Sequence, residues 1–390
     1  MPGMSARVAP FGTTIFAEIN TLARQHNAVN LGQGAPDFDA PAEVIAAAEY
    51  ALRSAQNQYA PGIGTQAARE AVAQHALRFY GQQIDPATEV LITAGATEAM
   101  FAAILGVTDP GDEVIVFAPT YDSYVPNMTM GGVSPRYVYL NPPDWAFTPA
   151  ELAAAITPRT RAIIINTPHN PTGKVYNRAE LEDIARLCQA RDLIAITDEV
   201  YEHILYDGTP HLRLATLPGM AERTITISSL GKTFSVTGWK IGWVIASPAL
   251  VTAVNRAHQF ITYAVATPLQ VAAAAALHLP DAYFRGLHST FQRRRDYLMG
   301  VLGEAGFTPL TPQGGYFVMV DWRSGAPPAV TNDVQFAEWL IREVGVACIP
   351  PSAFYTPPEK HRVAHLARFA ICKQDLTLTA AAERLTRVRR

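Results

Sequence analysis

The sequence predicts an α/β protein in which a large domain with a mostly parallel sheet is joined to a smaller α+β domain. Three observations support this fold class. Short, continuous apolar runs recur along the chain, helical patterns with start signals separate them, and the pattern changes after Pro280. We therefore expect the large domain over residues 45–280 and the small domain over residues 1–44 and 281–390.

Six short runs rich in β-branched residues are expected to form the strands of the large domain. Most of their residues are apolar, which is typical of strands that are covered on both faces in a parallel sheet. The runs are 90–93, 114–117, 162–166, 194–197, 224–228 and 241–245. Two later runs, 314–320 and 367–371, are expected to be strands of the small domain.

The helices between these strands carry their own start signals. Thr148 can cap a helix in which Pro149 takes the first position and Glu151 closes a capping box. Asn177 and Glu180 repeat this arrangement ahead of a helix with one apolar face. Strands that alternate with capped helices indicate that helices cover both faces of the sheet.

Composition and charge exclude several classes of protein. The chain has 31 basic and 34 acidic residues without a basic cluster, so we expect no nucleic-acid binding. Three widely spaced cysteines and an N-terminus without an apolar signal region favour a cytoplasmic protein. The uncharged stretch 257–280 is long enough to cross a membrane, but its His, Gln, Thr and Pro residues predict a packed helix. Because only 17% of residues are charged, we expect many buried elements or a subunit interface.

The segment 228–243 carries the first chemical signal. It leaves a strand and enters a Ser/Thr/Gly-rich loop, in which Lys232 can form a Schiff base with a carbonyl cofactor. Ser229 and Lys240 can offer a hydroxyl group and a cation to a phosphate. The segment is not a nucleotide-binding P-loop, because Thr226 stands where that motif requires glycine.

The strand at 194–197 ends in a carboxylate, Asp198. In open α/β sheets ligands bind at the carboxyl ends of strands, so this side chain is expected to lie at the site. A carboxylate there can bind Mg²⁺ or hold a protonated pyridine nitrogen. The missing P-loop favours the pyridine.

Two further loops follow predicted strands. Residues 94–100 turn through glycine into a helix whose free N–H groups can bind a phosphate, although an ordinary turn between strand and helix gives the same pattern. Residues 166–174 contain two prolines that fix the loop and position Asn170.

Together the four segments resemble the fold-type I pyridoxal-phosphate aminotransferases of the aspartate aminotransferase superfamily over nearly the whole chain. The combination of N-T-P-H-N-P-T-G at 166–173 with S-x-x-K-x-x-x-x-x-G-W-K-x-G at 229–242 is highly specific. Segments 30–38, 58–61, 197–201 and 350–355 are similar to the branch of kynurenine aminotransferases, glutamine transaminase K and bacterial methionine aminotransferases. The resemblance implies pyridoxal 5′-phosphate as cofactor and a homodimer with shared active sites.

The resemblance also implies a role for each matching residue. Lys232 would hold the cofactor covalently and move the reacting proton, and Asp198 would pair with the pyridine nitrogen. Tyr201 and Asn170 would contact the ring 3-oxygen. The other implied cofactor contacts are Tyr121 on the ring face, Ala96, Thr97, Ser229 and Lys240 at the phosphate, and Tyr59 from the neighbouring subunit. The substrate carboxylate would be bound by Arg368, Asn170 and the backbone of Gly34.

Arg368 also has a physical reading that is independent of the family. Its sequence neighbours are apolar, so its charge would be buried and must be paired, either with a ligand carboxylate or with an Asp or Glu of the chain. Relatives that use aspartate have a second arginine, whereas the matching region 261–265 offers aromatic and aliphatic groups and no arginine. Phe16, Tyr121 and Tyr263 therefore predict a neutral side-chain pocket.

We expect an aminotransferase that moves an amino group from a neutral aromatic or sulfur-containing amino acid to a 2-oxo acid. The alternatives are a cysteine-conjugate β-lyase and an aminotransferase of amino-acid biosynthesis, such as N-succinyldiaminopimelate aminotransferase. A ligand-sensing domain of a transcription regulator is disfavoured, because the roughly 30 residues before Gly34 are too few for a helix-turn-helix unit. No metal site is expected, since His361 and His365 have helical spacing but no third ligand nearby.

Overall fold

The computed structural model describes residues 3–389, and three sheets organise them. Their strands are β1 (Val29–Asn30), β2 (Val90–Thr93), β3 (Glu113–Ala118), β4 (Ser134–Tyr139), β5 (Thr160–Asn166), β6 (Ile194–Asp198), β7 (Thr224–Ser229), β8 (Gly242–Ile245), β9 (Thr308–Leu310), β10 (Phe317–Asp321), β11 (Val346–Ala347) and β12 (Leu366–Ala370). The largest sheet has seven strands in the order β2–β8–β7–β6–β5–β3–β4. Within it only β8 runs against its neighbours, so the predicted, mostly parallel sheet is confirmed.

All six strands that the apolar runs predict for this sheet are present. Their residues are almost entirely buried, because helices cover both faces of the sheet. The sequence does not predict β4, which lies at the edge of the sheet and is only partly buried. Pro135 and Arg136 interrupt its apolar pattern, and an edge strand tolerates both residues because one side of it is unpaired.

The α-helices lie around the sheets, and between β2 and β6 they alternate with the strands along the chain. They are α1 (Ile15–Gln25), α2 (Ala42–Arg53), α3 (Gln66–Tyr80), α4 (Gly95–Val107), α5 (Tyr124–Gly131), α6 (Pro149–Ala154), α7 (Arg178–Arg191), α8 (Leu230–Thr233), α9 (Pro248–Ile261), α10 (Thr267–Leu277), α11 (Asp281–Glu304), α12 (Asp333–Trp339) and α13 (Asp375–Leu385). Both predicted capping boxes are confirmed, at Thr148 with Glu151 and at Asn177 with Glu180.

The uncharged stretch 257–280 divides between the end of α9 and the whole of α10. One face of α10 is buried against α2 and α3, as the prediction of a packed helix requires. Across the described residues, no helix combines the length and the apolar character needed to cross a membrane.

The C-terminal part of the chain forms a second, antiparallel sheet of three strands in the order β12–β10–β9. Its apolar side chains share a core with residues of α1, α11, α12 and α13. The short strands β1 and β11 pair in parallel, which ties the N-terminal segment to this part of the molecule. The limits of the two domains stay a prediction.

Candidate active site

A cavity of about 310 Å³ opens at the carboxyl ends of β5, β6 and β7. This is the edge of the sheet at which the sequence predicts ligand binding. Twelve of the predicted site residues line it: Phe16, Gly34, Ala96, Thr97, Tyr121, Asn170, Asp198, Tyr201, Ser229, Lys232, Lys240 and Arg368. Segments that are far apart in sequence therefore meet around one space large enough for a small ligand.

Lys232 lies in the short helix α8, directly after β7. Its Nζ donates a hydrogen bond to the carbonyl oxygen of Gly34 at 3.2 Å and lies 5.6 Å from the ring centres of Tyr201 and Tyr316. Burial lowers the pKa of Lys232, against the opposing effect of the nearby Asp198. A larger fraction of neutral amine, which is the nucleophilic form, is therefore available.

Asp198 is the last residue of β6, and both of its carboxylate oxygens accept hydrogen bonds. The hydroxyl group of Tyr124 donates to Oδ2 at 2.6 Å, and the backbone N–H of Val200 donates to Oδ1 at 3.3 Å. Burial raises the pKa of Asp198, while these hydrogen bonds and Lys232 lower it. A cationic ligand group facing the carboxylate would favour its ionised form, so the site suits a protonated pyridine nitrogen.

The first turn of α4 and the loop before β8 form a cradle of anion-binding groups. Backbone N–H groups at the start of α4 include those of Ala96 and Thr97, and they point out of a helix N-terminus. Lys240 has a left-handed backbone (φ 54°), and a Cβ at Gly95 would lie 3.2 Å from Lys240 Cε. This close approach holds a cation beside the helix N-terminus, where a phosphate group fits.

Arg368 projects from β12 and has one guanidinium nitrogen without a hydrogen-bond partner among residues 3–389. Its Nη1 donates to Asn170 Oδ1 and its Nη2 to the carbonyl oxygen of Gly32, both at 2.9 Å, whereas buried Nε has no partner. Arg368 forms no ion pair with any carboxylate of the described residues, which disfavours the internal ion pair left open by the sequence. Burial lowers its pKa to about 10. A guanidinium that lines the cavity and has no carboxylate partner among the described residues suits a ligand carboxylate.

Three aromatic rings surround the Arg368 guanidinium. The ring centres of Phe317, Phe354 and Phe16 lie 3.9, 5.2 and 5.3 Å from its Cζ atom. Such contacts stabilise a cation that water cannot reach. A Cβ at Gly34 would lie 2.5 Å from Phe317, so this ring also restricts position 34 to glycine.

Asn170 is held in place by a chain of hydrogen bonds that begins at β6. Asn166 Nδ2 donates to the carbonyl oxygen of Asp198 at 3.0 Å, and Asn166 Oδ1 accepts from the N–H of Asn170 at 2.7 Å. The predicted rigid loop thereby fixes the amide of Asn170 against Arg368.

Tyr59 and Tyr263 do not line the cavity of their own chain. Their exposed fractions are 84% and 56%, and their rings meet edge to face at 5.4 Å. For Tyr59 this agrees with a predicted contribution to the neighbouring subunit. Tyr263, predicted in the side-chain pocket, is not brought there within one chain, where Gln33 and Phe317 border the cavity beside Phe16 and Tyr121.

Three aromatic residues of the site are not predicted from the sequence: Tyr124, Tyr316 and Phe317. Tyr316 flanks Lys232 Nζ, and its hydroxyl group donates to the Lys232 carbonyl oxygen. A sequence signal exists for Tyr316 and Phe317, because they stand at the start of the predicted strand 314–320. Tyr124 follows Tyr121 by one helical turn, but the spacing alone does not show that it reaches Asp198.

A buried cluster of charged residues lies beside the site. Its two carboxylates belong to the residues that directly follow Asp198 and Tyr201 in the sequence. Glu199 and Glu202 both pair with Arg213, at 3.1 and 2.6 Å. His75, Glu202 and His203 are close enough together to hold a metal ion. The Glu202 oxygens already accept from Arg213 and Ser228, however, and the two imidazole Nε2 atoms lie 2.7 Å apart as hydrogen-bond partners. The cluster reads as a charge network that fixes the turn 198–202.

The buried histidines predict how stability responds to acid. Burial lowers the pKa of His75 to about 4 and that of His169 to about 3, whereas both would titrate near 6.5 in the unfolded chain. From pH 7 to pH 5 the unfolded chain therefore gains protons that the folded chain does not. We expect the free energy of unfolding to fall by up to about 1.4 kcal/mol per pH unit for each group. Urea unfolding at both pH values measures this, and in His75→Gln the fall should be smaller. Equal stability at the two pH values would contradict it.

Comparison with known proteins identifies the class to which this fold and site belong. Residues 26–384 match the family described as aminotransferase class I and II, so the chain belongs to that family. The expected fold-type I architecture is thereby confirmed, and members of this family use pyridoxal phosphate.

Individual relatives cover nearly the whole chain. The chain is 45% identical over 389 residues to the probable N-succinyldiaminopimelate aminotransferase of Mycobacterium tuberculosis, covering 98% of this chain and 97% of that protein. It is 39% identical over 380 residues to the methionine aminotransferase of Escherichia coli, covering 97% of each. The solved structure of an N-succinyldiaminopimelate aminotransferase from M. tuberculosis superposes with a TM-score of 0.95 at 45% identity, covering 99% of this chain and 100% of that one. The chain is thus an aminotransferase.

Proposed function

We propose that this aminotransferase binds pyridoxal 5′-phosphate in the described cavity and takes its amino group from a neutral aromatic or sulfur-containing amino acid. The observation that carries the proposal is the supply of cations. Lys232, Lys240 and Arg368 are the Lys and Arg side chains that line the cavity among the described residues. Lys232 suits the cofactor aldehyde, Lys240 suits the cofactor phosphate, and Arg368 suits the α-carboxylate of the substrate. No cation of the same chain is left for a second carboxylate.

The residues divide the work of transamination among themselves. When bound, the cofactor supplies an electron sink for the carbanion at the substrate Cα. Arg368 and Asn170 bind the α-carboxylate, which turns the Cα–H bond toward Lys232. The neutral amine of Lys232 can take that proton, because burial lowers its pKa. Burial also keeps the Tyr201 hydroxyl group protonated, so it can donate a hydrogen bond.

The aromatic residues that line the cavity favour an uncharged substrate side chain. Phe16, Tyr121 and Phe317 offer ring surface, on which each buried CH₂ of a ligand contributes about 0.8 kcal/mol. A ligand carboxylate against the same rings would be desolvated without a partner, at a cost of several kcal/mol. Methionine, phenylalanine, tyrosine and kynurenine are therefore the expected donors, well ahead of aspartate.

N-succinyldiaminopimelate is the second candidate substrate, and the 45% identical relative from M. tuberculosis favours it. This compound brings two carboxylates in addition to the one beside its amino group. One chain provides no cavity-lining cation for them, so it would need cations from a second chain or from outside the cavity.

A panel of donors tests the proposal. Initial rates with 2-oxoglutarate should give kcat/KM values for methionine, phenylalanine and kynurenine that exceed the value for aspartate by at least about 100-fold, as an unpaired carboxylate requires. Aspartate or N-succinyldiaminopimelate as the best donor would overturn the neutral pocket. Pyruvate released from a cysteine conjugate without a 2-oxo acid would instead indicate β-elimination.

We further propose that the enzyme acts in the cytoplasm as a homodimer in which Tyr59 reaches the phosphate in the partner's site. Three exposed aromatic residues lie close to one another in sequence or in space: Tyr59 and Tyr263 belong to two neighbouring loops, and Phe260 lies in the last turn of α9. The loops are tied together, because Thr267 Oγ1 donates to the carbonyl oxygen of Gln58 at 2.6 Å. A rigid, exposed aromatic surface is typical of a subunit interface.

Mixed dimers test the sharing of residues. A chain with Lys232→Ala and a chain with Tyr59→Ala should each have low activity alone. Dimers that contain one chain of each kind should regain up to half of the wild-type activity, because one of their two sites holds both native residues. Tyr50→Ala, which removes an exposed tyrosine from α2, is the matched control and should stay fully active. Mixed dimers without any gain would place Tyr59 in its own chain's site.

A further inference from the structure

Tyr124 joins two groups that the proposed function assigns to the cofactor ring. It is the first residue of α5 and only 4% exposed, and its hydroxyl group donates to Asp198 Oδ2 at 2.6 Å. Its ring meets the ring of Tyr121 nearly edge to face, with centres 5.6 Å apart. Tyr124 therefore contacts both Asp198, which is expected to pair with the pyridine nitrogen, and Tyr121, whose ring is expected to stack on the cofactor.

The direction of the hydrogen bond is fixed. Burial and the nearby Asp198 hold the pKa of Tyr124 well above its usual value, so the phenol keeps its proton and must donate. Asp198 then accepts at Oδ2 from Tyr124 and at Oδ1 from the N–H of Val200. These two bonds fix the carboxylate plane while each oxygen keeps a lone pair for a further donor.

The hydrogen bond from Tyr124 also offsets part of the free-energy cost of burying the charge of Asp198. The groups around Asp198 come from four elements: Tyr124 from α5, Lys232 from α8, and Glu199, Tyr201 and Tyr121 from the loops after β6 and β3. Burial favours the neutral acid and Glu199 adds to this, whereas Tyr124, the N–H of Val200 and Lys232 favour the carboxylate. A neutral acid at this place would no longer hold a protonated ring nitrogen by its charge.

We propose that Tyr124 is a positioning residue that keeps Asp198 ionised and aimed at the pyridine nitrogen, and that it thereby sets the electron-withdrawing strength of the bound cofactor. This inference rests on the proposed function. Tyr124 in α5 would thus affect the rate of the reaction although it does not contact the reacting atoms.

Tyr124→Phe tests the proposal, because it removes the hydroxyl group and keeps the ring that packs on Tyr121. We expect kcat to fall by about 10- to 100-fold, the loss that one hydrogen bond to a charged group accounts for, with KM changed by less than threefold. In the resting enzyme the absorbance band of the bound cofactor should change at a higher pH than in the wild type. Without the Tyr124 hydroxyl group, Asp198 should stabilise the protonated pyridine less well, so the pyridine ring carries less positive charge. The ring then withdraws electrons less strongly, and the Lys232 nitrogen that is bound to the cofactor becomes more basic.

The matched control is Tyr206→Phe. Tyr206 is equally buried, and its hydroxyl group donates to the Gly315 carbonyl oxygen outside the cavity. This variant should lose stability in urea unfolding, as Tyr124→Phe does, while its absorbance titration stays that of the wild type. A spectral shift in both variants would indicate a general effect of loosened packing and would overturn the assignment.

The remaining outcomes separate this inference from the proposed function. A wild-type protein that binds the cofactor, together with a Tyr124→Phe variant of unchanged kcat and unchanged absorbance titration, would overturn the role of Tyr124 alone. Wild-type protein without the cofactor absorbance band after incubation with pyridoxal phosphate would overturn both.

Discussion

Lys232→Ala is expected to abolish transamination, with a loss of at least about 10⁴-fold, while the fold is kept. The variant lacks the amine that we propose as both the cofactor-binding group and the base for the Cα proton, and general base catalysis alone accounts for about 10²- to 10⁴-fold. Alanine leaves little strain, because Lys232 lies in a four-residue helix and its Nζ has a single hydrogen bond to Gly34. Single-turnover and steady-state rates measure the loss.

Covalent labelling separates the two parts of this prediction. Borohydride reduction should fix the cofactor to the wild-type chain and leave Lys232→Ala unlabelled, although the variant still binds cofactor through Asp198 and Lys240. Lys360→Ala replaces an exposed lysine outside the cavity and should behave like the wild type in both measurements. Full activity or stable labelling of Lys232→Ala would remove Lys232 from its assigned role.

Arg368→Ala is expected to lower kcat/KM by about 10²- to 10³-fold for every donor and acceptor alike. Each substrate carries the same α-carboxylate, and removing the charged partner of a buried ionic contact costs about 2–5 kcal/mol. Asn170 and the carbonyl oxygen of Gly32 also lose their donors, so the loop around Asn170 becomes less ordered. Arg368→Lys keeps a positive charge but cannot form bidentate hydrogen bonds with a carboxylate. This variant should therefore recover only part of the lost kcat/KM.

The control for this prediction is Arg191→Ala, which removes an exposed arginine outside the cavity and should leave the rates unchanged. Arg368→Ala should still bind the cofactor, because Lys232, the phosphate cradle and Asp198 are intact. A loss confined to one donor would mean that Arg368 contacts a side chain rather than the common carboxylate.

Much of the sheet and most of the cavity could be predicted because they depend on local patterns. A central parallel strand must be apolar on both faces, so β3, β5 and β6 are visible as continuous runs. The carboxyl ends of such strands meet at one edge of the sheet. This brings Asp198 and Lys232 together although 33 residues lie between them in the sequence. Edge strand β4 obeys no such pattern and was missed.

The remaining features depend on contacts between distant side chains. Nothing in the spacing of Arg213 from Glu199 shows that one guanidinium joins two carboxylates, since this requires the turn 198–202 and the segment around Arg213 to pack together. Phe317 contacts Arg368 diagonally across two paired strands of the small sheet, in which Phe317 pairs with Ala370, and a single sequence does not reveal this contact. The position of Tyr263 relative to a substrate depends on a second chain.

The aromatic rings around Arg368 have a consequence for attempts to change the substrate range. Phe16 and Phe317 border the proposed side-chain pocket and also pack on the Arg368 guanidinium, the proposed anchor of every substrate. Enlarging the pocket at either ring therefore also loosens the anchor, so a broader choice of donors comes with weaker binding of all of them. Tyr121 borders the same pocket without packing on Arg368, but it is expected to stack on the cofactor, so Gln33 is the lining position at which the choice of donor can be varied with least effect on the anchor and the cofactor.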